Sequence, residues 1–507
     1  MAIPIAMFIF PIFLAIMYTL VGWYSYMGYA LLLINIFLIQ YAVVYISMVL
    51  KQIKVIQQEM KQRTVYLKEP EKYPNNIHHL IAIPVYCESL LVIQQTLQVL
   101  AEHDRAFEYS ILLALEERDV NHDQYAKQLP LFIGKLLNAQ NSGGISTYHS
   151  PVFKNVFTTI HPIEAIKGKH VNLNYALGQY HTIKSINSLK TLVTVTDVDA
   201  HIPNLYIQYI NRMYATHNEY IMFAPSAVFA QNPSTVSTLV RVKDASWAIG
   251  HMTSLIHPNK VMPLSSYSVP LTLLNEMDYW DLGPVGIGED ASQMLRAVTY
   301  TERNGISFDL EAVMIPINYL NVNAGSYWQT IVERYKQGLR HNLAFLMLES
   351  SIHLAIEIKT RRMIRLIFNF AECVLMTLIM GWIWFVFLIC CYESMTGMAH
   401  INTAIMGYYW TLMLMRFNLL FVFVILAFIA LFYDVNHYVL RHFKIYGLAK
   451  YDKHSILAHF DIAFFPLSCV WLIMAPGLQS AYIICFQQIR KMLGGEYEFV
   501  VDASKKQ

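Results

Sequence analysis

The sequence predicts an α/β domain on a mostly parallel sheet, inserted between N-terminal and C-terminal transmembrane helices. Three observations predict it. Of 507 residues, 55% are hydrophobic and 13% aromatic, and the mean hydropathy is +0.37. That is too apolar for an ordinary soluble chain. Residues 2–50 contain no charged side chain, about twice the roughly 20 residues that cross a bilayer. Apolar runs return near 373–392, 404–433 and 462–486. Between them, about 51–360 carries most of the charge and alternates strand-like with helix-like segments.

The division that follows is 1–50, two transmembrane helices broken near Gly22–Gly28; 51–327, the cytoplasmic α/β domain; 328–365, amphipathic interfacial helices; 366–490, three or four transmembrane or interfacial helices; and 491–507, a tail. The first stretch is too long for a signal peptide and lacks a basic n-region, so it is expected to be retained. Lys51, Lys54, Lys61, Arg63, Lys68 and Lys72 follow the first pair of helices, and Arg361, Arg362 and Arg365 precede the third. The links near 22–28 and 393–403 have no Lys or Arg. This bias puts the central domain in the cytoplasm of an integral membrane protein of the plasma or inner membrane. The net charge is +2, and no basic cluster suggests nucleic acid. Only Cys87 lies in the central domain and no C-x-x-C pair occurs, which argues against structural zinc.

Within the domain, Leu80–Ile83 reads as a strand stopped by Pro84, and helical spacing begins near Leu90 with Glu88 and Ser89 at its start. Ile111–Leu115 is a second strand running into Glu116 and Glu117, and "FKNVFTTIHP" a third candidate. "KGKHVNLNYALGQYH" is a basic turn and a helix. The β-branched run Leu192–Thr196 ends in Asp197-Val198-Asp199. Two carboxylates one residue apart at a strand exit form a hard oxygen site for Mn²⁺ or Mg²⁺, able to hold a diphosphate. Taken alone, the same pattern also fits a solvated acidic turn. Glu289-Asp290 opens a helix running toward Tyr300. Acids there are favoured by the helix dipole, or one is a base held above a donor. In "YWQTIVERYKQGLRHNLAF", Gln337 and Arg340 are three apart and share a helix face. The arginine could clamp a diphosphate bidentately or touch lipid headgroups.

The ordered set resembles membrane-integrated family-2 glycosyltransferases, as in cellulose, chitin and hyaluronan synthases. "PVYCE" (Pro84–Glu88) is similar to that family's P-x-Y-N-E turn, "KHVNLNYAL" to K-x-x-N-L-N-x-A-L, and "DVDAHIP" to D-A-D-x-x-x-P. "GED" stands where the family has T-E-D, and "QGLRH" where it has Q-x-x-R-W. The resemblance covers roughly 75–365 and implies a GT-A-like domain. It implies that Tyr86 and Glu88 line the nucleotide, that Lys169 and Asp197 contact it, and that Asp199 holds the metal. Asp290 would be the general base, and Glu289 would serve diphosphate or acceptor. Gln337, Arg340 and His341 would serve diphosphate and acceptor. Three departures stand out. Cys87 replaces asparagine. The second nucleotide motif is "LEERD", with Glu116 or Glu117 as its acid. His341 replaces the tryptophan that packs on the acceptor sugar.

The implied activity is inverting, metal-dependent sugar transfer from a nucleotide sugar, UDP- ahead of GDP-, to a growing β-linked polysaccharide. Membrane export of the product would extend that reading, and membrane lipids would surround the helices. The alternative is transfer of a single sugar to a lipid acceptor. A transporter with a soluble domain and a catalytically dead scaffold are weaker readings, the latter because Asp199, Asp290 and Arg340 are all present.

Overall fold

The computed structural model describes residues 23–68, 77–121, 144–163, 168–183, 190–217, 219–232, 235–255, 261–282, 288–341, 345–372 and 464–492, with single positions at 124, 125, 128 and 461. A long helix, α1 (Trp23–Lys68), leads into β1 (Ile77–Pro84), α2 (Leu90–Ala101) and β2 (Tyr109–Glu116). Then come β3 (Ile145–Tyr148), β4 (Asn155–His161), α3 (Lys169–His181), β5 (Lys190–Val195), β6 (Ala200–His201), α4 (Asn204–Thr216), β7 (Ile221–Val228) and α5 (Thr238–Ser254). The domain closes with β8 (Tyr267–Pro270), α6 (Leu271–Glu276), α7 (Glu289–Arg303), β9 (Asp309–Tyr319), α8 (Tyr327–His341) and α9 (Phe345–Ile358). A last helix, α10, runs from Phe465 through a π-helical turn, Val470–Met474, to Met492.

The strands form one sheet in the order β3-β4-β2-β1-β5-β8-β7-β9-β6. The expectation of a mostly parallel sheet is corrected: the sheet is mixed. Pairs β1–β2, β1–β5, β2–β4 and β7–β9 are parallel, whereas β3–β4, β5–β8, β7–β8 and β6–β9 are antiparallel. The reversals are all made by the short strands β3, β6 and β8. Two to four residues are too few to show a period-2 pattern in the sequence.

The flanking transmembrane helices are corrected as well. Among the described residues no helix is long and apolar enough to cross a membrane. The reasons are visible in the packing. α1 continues past residue 50 as a polar arm against the domain, with Gln52 and Glu59 buried. The Gln52 amide donates to the Met314 carbonyl at 3.0 Å, and Arg212 of α4 pairs with Glu59. α10 is interrupted by its π turn and buries Ser468 and Ser480 against Leu239 and Leu339 carbonyls. The apolar runs at 373–392 and 404–433, like residues 1–22, lie outside the described residues.

Alternation along the central strands feeds two cores. Leu80 and Ala82 of β1, with Leu112 and Ala114 of β2, face α3, α6 and α7. Ile81 and Ile83, with Ile111 and Leu113, face α2 and α4. The sheet is thus covered on both faces, and the carboxyl ends of β1, β2 and β5 open at one edge.

Candidate active site

β1 stops at Pro84, and Val85 makes one last bond, its N–H donating to the Ala114 carbonyl at 2.9 Å. The chain then turns at Tyr86–Cys87. Cys87 has φ +54°, the left-handed region, where asparagine is enriched and other side chains are strained. What holds it there is Asp119: its carboxylate accepts the Cys87 N–H at 2.5 Å and the Asn121 N–H at 2.9 Å. Tyr125 donates its hydroxyl to the Glu88 carbonyl. Tyr86 itself is 39% exposed at the mouth.

The three acids of the "LEERD" segment stand in different places. Glu116 is buried, 3.7 Å from Arg118. Glu117 points to the surface and accepts the Ile163 N–H at 2.9 Å, fixing the end of β4. Asp119, buried, is the carboxylate that organises the Tyr86–Cys87 turn. Its part in that turn is not legible in the sequence, because its partner Cys87 lies 32 residues earlier.

α3 begins after Gly168, where φ is +148° and a Cβ would lie 2.5 Å from the His170 ring, so only glycine fits. The Asn172 amide donates to the Ala114 carbonyl at 2.9 Å and ties α3 to β2. This aims Lys169 across the strand ends. Its Nζ lies 2.8 Å from Asp197 and 2.5 Å from Glu289, joining α3, the β5 exit and α7 at one ammonium. The pair of carboxylates holds the Lys169 pKa well above its ordinary value against the opposing effect of burial. Glu289 is pushed up to about 7, first by burial, with Asp290 and Asp197 adding to the shift and Lys169 opposing it.

Asp199 is buried at the turn between β5 and β6. A polar frame sets that turn. Gln231 donates to the carbonyls of Asp199 at 2.8 Å and Asn318 at 2.7 Å, Thr96 donates to the Val198 carbonyl, and Thr196 shares a 2.8 Å bond with Ser266. Asp290 is half-buried in the first turn of α7, its Oδ1 accepting the Ala291 N–H at 2.7 Å. Burial raises its pKa, the direction that makes a carboxylate a better proton acceptor.

α8 brings the remaining residues. Arg340 is half-buried, its pKa lowered by burial and supported by the charges of Asp197 and Glu88. Gln337 accepts from Arg334 at 2.6 Å. His341 is exposed and lies beside Trp247 of α5, with ring centroids 6.0 Å apart. Neither Arg334 nor Trp247 was legible as a site residue from the sequence.

The structure brings together Lys169, Asp197 and Glu289, with Asp199 and Asp290 next to them in the chain, and separately joins Asp119 to the Cys87 turn; Arg340 feels the charge of Asp197. Among the described residues no group of three His, Cys, Asp or Glu side chains is disposed to hold a metal by itself. The donor chemistry still fits Mn²⁺ or Mg²⁺. Such an ion is bound through one or two carboxylates and completed by substrate phosphates and water, and Asp199 with Asp197 offers that hard-oxygen pair.

No family model matches the chain, and no curated protein matches it. Solved structures do. The chain is similar to a mannosyltransferase, PcManGT from Pyrobaculum calidifontis, in complex with GDP-Man and Mn²⁺, at 12% identity and TM-score 0.38, covering 76% of this chain and 98% of that one. It is similar to S. aureus TarS 1-349 in complex with UDP-GlcNAc at 9% identity and TM-score 0.35, covering 84% and 95%. TarS 1-349 in complex with UDP is similar at 10% identity and TM-score 0.34 over the same shares.

Proposed function

We propose that the chain is a nucleotide-sugar-dependent glycosyltransferase that transfers a sugar with inversion to a growing β-linked sugar chain. The observation that carries this is the meeting of Lys169, Asp197 and Glu289, with Asp199 and Asp290 next to them in the chain and Arg340 within reach of the Asp197 charge. Tyr86 and the Asp119-held turn would receive the nucleotide, a UDP- donor ahead of a GDP- one. Asp199, with Asp197, would hold a divalent ion, whose charge would offset that of the diphosphate. Arg340 adds a fixed positive charge for the leaving diphosphate. Asp290 takes the proton from the attacking hydroxyl as the new bond forms. One base opposite the leaving group means in-line attack, so α-linked donors give β-linked products.

Lys169 keeps Glu289 and Asp197 compensated while the site is empty, and so keeps the acidic edge open to an anionic donor. A second reading, one sugar added to a lipid, is favoured by exposed aromatic side chains at the start of α8 and on α10: Tyr327, Trp328 and Trp471 are 48%, 73% and 57% exposed. The test is a panel of radiolabelled UDP- and GDP-sugars with purified protein in lipid, followed by sizing of the product. A sugar ladder supports the first reading and a single glycolipid the second. No nucleotide release from any donor removes both.

A further inference from the structure

The buried residues of α8 are Thr330, Arg334 and Gly338. They are four apart and form one stripe along the helix. Arg334 rests on Asp244 of α5, donating Nε and Nη2 to one carboxylate oxygen at 2.8 and 2.5 Å. Gly338 rests on α10. That helix carries a proline in its interior, Pro476. Proline has no N–H for the carbonyl four residues back, and its ring crowds that carbonyl. Here the carbonyl is that of Leu472, within the π-helical turn Val470–Met474. Gly338 meets this seat closely: a Cβ at 338 would lie 3.1 and 3.3 Å from the Pro476 ring and 3.4 Å from the Leu472 oxygen. Beside it, Ser480 donates to the Leu339 carbonyl at 2.9 Å and Tyr335 donates to Gln479 at 2.6 Å. The same helix is tied to α5, where Ser468 donates to the Leu239 carbonyl at 2.8 Å and Arg241 pairs with Asp461, just ahead of α10.

We propose that Pro476 and Ser480 of α10 are positioning residues, which seat Gly338 and so aim Arg340 at the leaving diphosphate. This rests on the glycosyltransferase reading and deepens it, because it gives α10 a part in the chemistry. Arg340 comes two residues after Gly338, about 160° away round the helix. It therefore projects from the side of α8 opposite the buried stripe. The Arg334–Asp244 pair holds that stripe at one point, and a helix held at one point can still roll and tilt. The Pro476 seat supplies the second point, next to Arg340 in the chain. Any roll of α8 on its stripe is carried to the guanidinium at the far side. A misplacement of about 1 Å, caused far from the chemistry, can cost about a hundredfold in rate. Pro476 and Ser480 thus act through Arg340 and not on the donor itself.

The test uses the full chain and calorimetry with Mn²⁺ and UDP, UMP, GDP or GMP. In Gly338→Ala the added methyl pushes α8 off Pro476. Affinity for the preferred nucleoside diphosphate should fall about tenfold, the size of one charge-assisted hydrogen bond, while the monophosphate stays within about twofold. Adding Pro476→Gly, which removes the ring atoms that the methyl meets, should restore most of the diphosphate affinity. Arg340→Ala combined with Gly338→Ala should lose no more than Arg340→Ala alone, because both act through one cation. Ser480→Ala adds no atom and should act in the same direction by about threefold; it takes the place of Gly338→Ala in these comparisons if that variant does not fold. Unchanged diphosphate affinity, equal weakening of diphosphate and monophosphate, or losses that add to that of Arg340→Ala would each overturn the positioning role. If the wild type binds no nucleoside diphosphate, the transferase reading falls, and amide exchange over residues 334–341 decides the seat. Faster exchange in Gly338→Ala that Pro476→Gly reverses keeps α10 as the element that positions α8, and unchanged exchange removes it.

Discussion

Replacing Lys169 by methionine removes the ammonium that Asp197 and Glu289 share, at 2.8 and 2.5 Å. The consequence depends on pH in a way the site's geometry dictates. Glu289 is 6% exposed, and its pKa is raised from 4.5 to about 7. A carboxyl whose folded pKa is raised contributes its full stability below the unfolded value and loses it as pH rises through the folded one. In the wild type that loss is complete a little above pH 7. Without Lys169 the folded pKa climbs further, so the loss continues to higher pH. Between about 7 and 8.5, at about 1.4 kcal/mol per unit, this adds about 2 kcal/mol of destabilisation. At pH 6 Glu289 already carries its proton in both proteins, and only Asp197, one-third exposed, loses a partner, worth about 1 kcal/mol. Any gain from no longer burying an ammonium is the same at both pH values and cancels in the comparison. Urea titrations of wild type and Lys169→Met at pH 6 and 8.5 should therefore show destabilisation of about 1 and about 3 kcal/mol. Equal destabilisation at the two pH values would refute the shared-ammonium account of Glu289.

The other predictions follow from the same side chains. Asp290→Asn should keep nucleotide binding, measured by calorimetry, and lose about 10²–10⁴-fold in transfer rate, the usual size of a general-base contribution; a near-normal rate would reduce Asp290 to a helix-start acid. EDTA should abolish transfer, and Asp199→Ala should not recover with added Mn²⁺ or Mg²⁺; full turnover in EDTA would remove the metal from the reading. Acid should weaken the fold: burial lowers His79, His103 and His251 to about 4, each from 6.5. The unfolded chain binds these protons first, so stability falls as pH drops from about 6.5 toward 4. Melting temperatures across that range, flattened in His103→Gln, check the sign.

The long buried strands were legible because their runs of Leu, Ile and Val are themselves the signal. The predicted Leu80–Ile83 and Ile111–Leu115 fall inside β1 and β2, and α2 starts at Leu90 with Ser89 accepting the Val92 N–H. What stayed hidden depends on partners far away in sequence. β8 is four residues whose pairing with both β5 and β7 makes the sheet mixed, and nothing local announces it. Asp119 matters only because the chain 32 residues earlier turns through φ +54° beside it. Gly168 was visible as part of a basic turn, but the close approach of His170 that makes it necessary was not. Trp247 looks like any helical aromatic until α8 arrives with His341. The apolar runs 2–50 and 462–486 were read as membrane-crossing or interfacial, yet Tyr45 and Met48 of α1 are fully buried and Leu472 of α10 is nearly so, while Ile36, Ile39, Val43 and Leu50 of α1 are exposed.

The pentapeptide Gln337-Gly338-Leu339-Arg340-His341 shows why one short motif can serve several surfaces. Successive residues of a helix are about 100° apart, so Gln337 and His341 lie about 40° from each other, Gln337 bonded to Arg334 one turn earlier in α8 and His341 beside Trp247 of α5. Gly338 is turned away toward α10. A Cβ there would come within 3.1 Å of Pro476 and 3.4 Å of the Leu472 carbonyl, so the absence of a side chain is what lets the helices meet. Ser480 closes that contact by donating to the Leu339 carbonyl at 2.9 Å. Arg340 lies about 60° from Gln337 on the side opposite Gly338, where it feels the charges of Asp197, Glu333 and Glu88, with Arg334 opposing them. Arg334 and Gly338 lie about 40° from each other, so the buried Arg334–Asp244 pair and the glycine seat on Pro476 fix one side of α8 and leave Arg340 on the other. On the proposed function, a cation placed in this way by its helix would meet the donor diphosphate with little reorganisation, the condition under which a fixed charge stabilises a leaving group most.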